Sequence, residues 1–282
     1  MSPAGGRPAH ATHAEERMPM SVEEYALPVQ GAPCWMHLMV RDLAGAEAFY
    51  ASVLGWSFRH STLGEGYSTA LVDGRPVAGL GVHAQDWDPV TVWTPYFAVR
   101  DADLTAALVR ERGATVAVGP LRKGGGRAAL ASDRDGAVFG FWEGPTPAWA
   151  VGEGSAPPRL ELRTRDVFEA AIFYGEVFSW SDADTGGGVE VLYEEERVVV
   201  RAWGRPVALL HGGAVEQDPD PRTRPRWVVH FDVADTERAA AAAVDAGGTA
   251  APAAPGACVP GGGYVIRDPE GGLFTVSRPA DR

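Results

Sequence analysis

The chain has 282 residues, enough for two domains of ordinary size, and its 45% hydrophobic and 22% charged residues make a globular composition. A formal charge of −12, with one lysine (Lys123) and scattered arginines, leaves no basic cluster to neutralise phosphates and excludes a nucleic-acid partner. No run of about 18 apolar residues is present, which excludes a membrane-spanning helix.

Residues 1–29 lack a basic stretch followed by an apolar one, so they are no secretory signal; they read as a disordered tail. CWMHLMV (34–40) then alternates as a strand and meets Asp42, a helix N-cap. Leu43, Ala46, Tyr50, Val53 and Leu54 follow at helical spacing, and Gly55 ends the helix. Three strand-like runs come next: WSFRHS, YSTALVDG and RPVAGLGVH. WDPVTVW (87–93) forms a loop whose Trp87 and Trp93 are expected to make a rim. TPYFAVRDADLTAALVRERG restarts the scheme with strand, Asp cap, helix and glycine stop. KGGGR (123–127) sits before a strand rather than a helix and predicts a hairpin turn, not a phosphate loop. SDRDGAVFGFW (132–142) closes the half, and GPTPAWAVGEGSAPP (144–158) reads as a linker.

The order then repeats. Asp42, Phe49, Tyr50 and Trp56 return as Asp166, Phe173, Tyr174 and Trp180, each 124 positions on. GRPVAGL (74–80) returns as GRPVALL (204–210), and SDRDGAVFGFW as RDPEGGLFTVS (267–277). CVPGGG (258–263) stands where KGGGR stood. The reading is α+β, with four βαβββ units, two per half. The expected divisions are a tail over 1–29, a first domain over 30–146, a linker over 147–157 and a second domain over 158–282.

Four such units, each with a strand-Asp-helix signature, and an FY and an LGW-like ending in the first unit of each half, resemble the vicinal oxygen chelate superfamily. Its members include glyoxalase I, bleomycin resistance proteins and extradiol dioxygenases. The resemblance covers about 33–278, and Gly31-Ala32-Pro33-Cys34-Trp35 is similar to the start of tandem actinobacterial members. It implies two half-open barrels, each built from two units around a hollow face. The family's metal enzymes carry a glutamate in the pattern D-P-x-G-N-x-x-E, with further ligands near the strand starts. Here Gly140 and Thr275 stand in the glutamate's place, and Trp35, Thr94, Arg159 and Val228 stand near the strand starts. None of these is a customary ligand, so no metal or other cofactor is expected.

Strand alternation sorts the remaining residues by face. Met36, Leu38, Val40, Pro95, Phe97, Val99, Leu160, Leu162, Val229, Phe231 and Val233 are expected to pack under the helices. The first hollow then holds Trp35, His37, Met39, Tyr96, Val138 and Trp142, with Gly140 expected to leave room beside Trp142. The second holds Glu161, Arg163, His230 and Asp232, with Thr275 near. If units paired across the halves instead, His37, His230 and Asp232 would share one hollow as a metal site.

The function this predicts is metal-independent binding of a small, partly aromatic molecule, such as an antibiotic or a pathway intermediate. Trp35, Met39, Tyr96, Gly140, Trp142, Glu161, His230 and Asp232 are the candidate ligand-binding residues. The alternative is a lyase, oxygenase or hydroxylase of natural-product metabolism, with a displaced metal site or with His37 as catalytic acid or base. In the binding reading His37 is a hydrogen-bonded pocket histidine. The other expectations are a small-molecule partner, a monomer or homodimer, and a cytoplasmic location. The last follows from Cys34 and Cys258 having no metal or redox spacing. Arg in place of Lys and the lack of Asn point to a high-GC, actinobacterial genome.

Overall fold

The computed structural model describes residues 25–26, 29–60, 66–83, 91–147, 159–182, 188–194, 197–213, 215, 224–253, 259 and 261–279. Trp87, Cys258 and most of the expected linker lie outside these residues. Within the expected tail, β1 (Tyr25–Ala26) forms a short strand.

The first unit is β2 (Pro33–Val40), α1 (Leu43–Leu54), β3 (Ser57–His60), β4 (Tyr67–Val72) and β5 (Arg75–Val82). The second is β6 (Trp93–Ala98), α2 (Ala102–Glu111), β7 (Thr115–Lys123), β8 (Gly126–Ser132) and β9 (Val138–Glu143). β10 (Thr146–Pro147) then pairs with β1. The third unit is β11 (Arg159–Arg163), α3 (Val167–Phe178), β12 (Ser181–Asp182), β13 (Val189–Tyr193), β14 (Arg197–Ala202) and β15 (Arg205–His211). The fourth is β16 (Arg226–Asp232), α4 (Thr236–Asp245), β17 (Thr249–Ala253), β18 (Gly263–Arg267) and β19 (Leu273–Ser277).

Each helix begins where an aspartate supplies the missing acceptor for first-turn N–H groups. Asp42, Asp101, Asp166 and Asp235 accept from Gly45, Leu104, Glu169 and Arg238 respectively. At the other end of α1, Gly55 takes the left-handed conformation (φ 71°), and its counterpart after α3 is Ser179 at φ 59°. None of the helices among the described residues is long and apolar enough to cross a membrane.

Strands of units one and two share one sheet in the order β3-β4-β5-β2-β6-β9-β8-β7, joined where β2 runs antiparallel to β6. Units three and four share the other, β12-β13-β14-β15-β11-β16-β19-β18-β17, joined at β11 and β16. Neither sheet closes into a barrel. His37 and His230 therefore lie on different sheets, and the shared hollow that cross-pairing would have made does not form.

The residues expected to face the helices do so: Met36, Leu38, Val40, Phe97, Leu160, Leu162 and Val229 are fully buried. What they pack against crosses the halves. β6 lies on β16, α1 on α4 and α2 on α3. Trp56 meets Phe231 edge-on at 5.1 Å, and Phe97 stacks on Phe178 at 4.6 Å. One apolar core thus runs through both halves. Because the sheets meet by these faces, their hollow faces point to opposite sides of the molecule.

The residues retained in both repeats sit on this seam. Tyr50 Oη, from the first half, donates to Asp268 Oδ2 in the second (2.7 Å) and accepts from Trp93 Nε1 (3.1 Å). Tyr174 Oη donates to Asp133 Oδ2 (2.9 Å) and accepts from Trp227 Nε1 (3.0 Å). Each aspartate also accepts N–H groups of its own turn, Asp133 from Asp135 and Ala137, Asp268 from Glu270 and Gly272. The Tyr of each FY pair and the turn aspartate of the opposite half, Asp268 or Asp133, are therefore partners across the seam. Gly31 joins them: at φ 78° it lies so close to Phe178 O that a Cβ would come within 2.5 Å.

Candidate functional site

The first hollow is built at the β2–β6 junction. A register shift between Pro33 and Trp35 brings Cys34 against Ala98 on this face, and Trp35, Tyr96 and Trp142 pack around the pair. Cys34 is buried and its thiol is pushed up by that burial, so it lies as an inert neutral group on the floor. Trp142 is fixed by its indole N–H, which donates to Pro145 O at 2.9 Å.

Three glycines on this face explain how the bulky side chains fit. A Cβ on Gly79 would lie 2.1 Å from Tyr67 Oη, one on Gly81 3.0 Å from His37 Nε2, and one on Gly140 2.3 Å from the Tyr96 ring. The expectation that Gly140 leaves room beside Trp142 is therefore corrected. Tyr96 pairs in register with Gly140 and its ring covers that space. Leucine at 140 would displace Tyr96 before it met any ligand.

His37 lies in the middle of this lining. Its ring stacks on Tyr67 (5.8 Å, 21°) and meets Tyr96 edge-on (6.2 Å, 81°). The side chain is only 9% exposed, and its Nε2 has no hydrogen-bond partner among the described residues, against the expectation of a hydrogen-bonded histidine. Burial, followed by the Lys123 charge, lowers its pKa to about 3, so the ring is neutral at pH 7. Tyr67 Oη accepts from Trp35 Nε1 at 3.2 Å, and Lys123 Nζ stands 4.8 Å from the centroid of the Tyr67 ring. Burial pushes the Tyr96 hydroxyl up to about 12, with further contributions from Tyr67 and Cys34. Met39 borders the same face, its sulfur beside Gly81.

Tyr67 and Lys123 were absent from the candidate residues. The signal for Tyr67 was legible in G-L-G over 79–81: two glycines at alternate positions on a hollow face mark bulky neighbours. Nothing in KGGGR showed that Lys123 reaches across to the first unit.

The second hollow is polar and paired internally in part; Arg159 Nε, Arg163 Nε and His230 Nδ1 are buried without a hydrogen-bond partner among the described residues. Glu161 Oε2 meets His230 Nε2 at 3.2 Å, and Oε1 meets His211 Nδ1 at 3.3 Å and Arg163 Nε at 3.4 Å. Burial works to raise the Glu161 pKa, but bonds from His211 and His230 and the Arg163 charge outweigh it and hold the carboxyl well below its usual range. Arg159 Nη2 bonds Asp232 Oδ1 (2.8 Å) and Ser277 Oγ (2.5 Å). Sequence alternation brought Glu161, Arg163, His230 and Asp232 to this face but missed His211, at the end of an apolar strand.

Neither hollow offers donors suited to a divalent ion. In the first, Tyr96 on β6 pairs with Gly140 on β9; in the second, His230 on β16 pairs with Thr275 on β19. The imidazoles of the second hollow turn their contacting nitrogens onto Glu161, and two guanidinium groups occupy the same face. No three His, Cys, Asp or Glu side chains among the described residues form a metal-holding group. The donor set does not fit a metal that polarises substrate oxygen.

Comparison with known proteins agrees with this architecture. The model of the Glyoxalase/Bleomycin resistance protein/Dioxygenase superfamily matches residues 34–141, and a Glyoxalase-like domain model matches 159–277. CFP32 of Mycobacterium tuberculosis, a glyoxylase by name, is 31% identical over 262 residues, covering 89% of this chain and 96% of that protein. The anthracycline biosynthesis protein DauV of a Streptomyces species is 30% identical over 240 residues, covering 78% and 83%. Among solved structures, the Mn(II)-bound glyoxalase of Novosphingobium aromaticivorans has a TM-score of 0.54 at 17% identity, covering 90% of this chain and 89% of that one. Homoprotocatechuate 2,3-dioxygenase of Brevibacterium fuscum has a TM-score of 0.55 at 17% identity, covering 92% and 82%.

Proposed function

The chain belongs to the Glyoxalase/Bleomycin resistance protein/Dioxygenase superfamily, and we propose that it binds a small, partly aromatic molecule in its first hollow without a metal. The observation that carries this reading is the lining itself: Trp35, Tyr67 and Tyr96 around the unpartnered Nε2 of His37. Aromatic faces give stacking area at low entropic cost, and one buried polar atom sets the orientation of whatever enters. Relatives named for anthracycline biosynthesis support a polycyclic, oxygenated ligand.

The enzyme alternative places acid or base chemistry on His37. A histidine whose pKa is lowered to about 3 is a weak base at neutral pH, so its nitrogen serves better as a hydrogen-bonding partner. The second hollow, whose Glu161 and Asp232 are engaged by its own histidines and arginines, supports the fold in this reading.

Calorimetric titration of the full chain with an anthracycline aglycone, which lacks the cationic amino sugar, tests the proposal. Saturable binding is expected, unchanged by prior dialysis against a chelator, and weakened roughly tenfold or more by Trp35→Ala. Binding that requires added Zn, Fe, Ni or Mn, or one such ion held tightly per purified chain, would overturn it in favour of the enzyme.

A further inference from the structure

Lys123 is the one lysine in a chain of net charge −12, and it stands at the mouth of the aromatic hollow rather than on an acidic surface. Its ammonium lies over the Tyr67 ring, close enough to His37 to disfavour protonation there. No carboxylate pairs with it among the described residues, whereas Arg41, Arg112, Arg127, Arg134, Arg159 and Arg163 each have an acidic partner. Partial desolvation lowers the Lys123 pKa with no acidic neighbour to raise it again. An exposed cation over the Tyr67 ring and the buried, unpartnered Nε2 of His37 thus put one charged and one polar contact at the same hollow.

We infer that the first hollow takes a planar aromatic acid, with Lys123 receiving the ionised carboxylate or phenolate and His37 Nε2 hydrogen-bonding a second polar group on the ring. This rests on the reading of that hollow as the ligand site and adds the ligand's charge to it. Both contacts adjoin Tyr67, His37 stacked on its ring and Lys123 over it, while Tyr96 stands edge-on to His37. A neutral ligand would gain nothing from the Lys123 charge, and a cationic one would be repelled by it. An anion would gain a charge-assisted bond there.

The test compares 2-naphthoate with 2-naphthamide, two probes of one shape that differ in charge, by calorimetry on the full chain. Naphthoate is expected to bind roughly tenfold or more tightly than the amide at low salt, and added salt should narrow the gap. Lys123→Met should abolish the preference by weakening naphthoate far more than the amide, and Lys123→Arg should keep it. Equal binding of the two probes, or a Lys123→Met variant that weakens both alike, overturns the inferred charge while the aromatic hollow stands as the site. Failure of both probes to bind up to millimolar concentration overturns the hollow as a site, and this inference with it.

Discussion

Replacing Tyr50 with Phe removes one hydroxyl and leaves two buried groups unpaired, Trp93 Nε1 and Asp268 Oδ2. Tyr174→Phe does the same to Trp227 Nε1 and Asp133 Oδ2 on the other side of the seam. A lost bond to a buried charged group costs about 1–3 kcal/mol, so denaturant melts of either variant should show a loss of that size. A second readout separates this from general loosening. Burial raises the Asp133 pKa above 3.8, and bonds from Ala137 N–H, the Tyr174 hydroxyl and Asp135 N–H pull it back down. Tyr174→Phe should therefore raise it further, measurable by carboxyl-detected NMR. The sign follows from linkage: a carboxyl raised on folding binds its proton more readily folded than unfolded. Stability from this group is then lost as pH rises from 3.8 through the folded value, and the variant should lose more of it. Unchanged Asp133 titration would count against the bond across the seam.

Among the elements, the helices and their caps were readable from sequence because both signals are local. An aspartate before a 3.6-period pattern, with Gly55 behind α1, needs no tertiary partner to be interpreted. Strand faces were readable for the same reason: alternation placed Met36 and Leu38 inside and Trp35 and His37 on the hollow face without knowledge of what lay opposite. Gly140 was misread because a glycine records only that something approaches, not what; the visitor is Tyr96 rather than a ligand. Lys123 and His211 escaped because each acts on a strand distant in sequence. The two copies also differ at one cap, and that difference is testable. Ser179 occupies the left-handed position that Gly55 fills after α1. A side chain there is strained by contact of its Cβ with the backbone, which glycine avoids. Ser179→Gly should stabilise the protein by about 0.5–1 kcal/mol, and Gly55→Ser should destabilise it by a similar amount, both read from thermal melts. If Ser179→Gly destabilises instead, its hydroxyl or stiffness matters more than the strain.

At the scale of the whole molecule, the repeat and the linker composition divide the chain into domains over 30–146 and 158–282, which taken alone implies two self-contained halves. The architecture gives a reason to expect the reverse. Each half does complete its own sheet, so no strand is missing from the fragment. What it lacks is cover for the sheet's packed face: Phe97, Phe139, Trp56 and Trp93 would lose Phe178, Tyr174, Phe231 and Trp227. An exposed aromatic face of that extent drives association. Periodicity could not reveal this, because it reports that a face is buried and not which chain segment buries it. Expressed alone, 30–146 should be insoluble or self-associated and should lack a sharp thermal transition. Co-expressed with 158–282, it should be recovered as a soluble one-to-one pair, since Tyr50 and Asp268, and Tyr174 and Asp133, give the seam matched polar contacts on both sides. Gly31→Ala adds a control in the intact chain. Its Cβ would press on Phe178 O and the Trp180 ring, so it should lower the melting temperature by driving the halves apart while leaving each sheet's own hydrogen bonds in place. A monomeric fragment with a cooperative melt would mean that α1 and α2 fold back to cover the sheet without the second half, and that the shared core is dispensable.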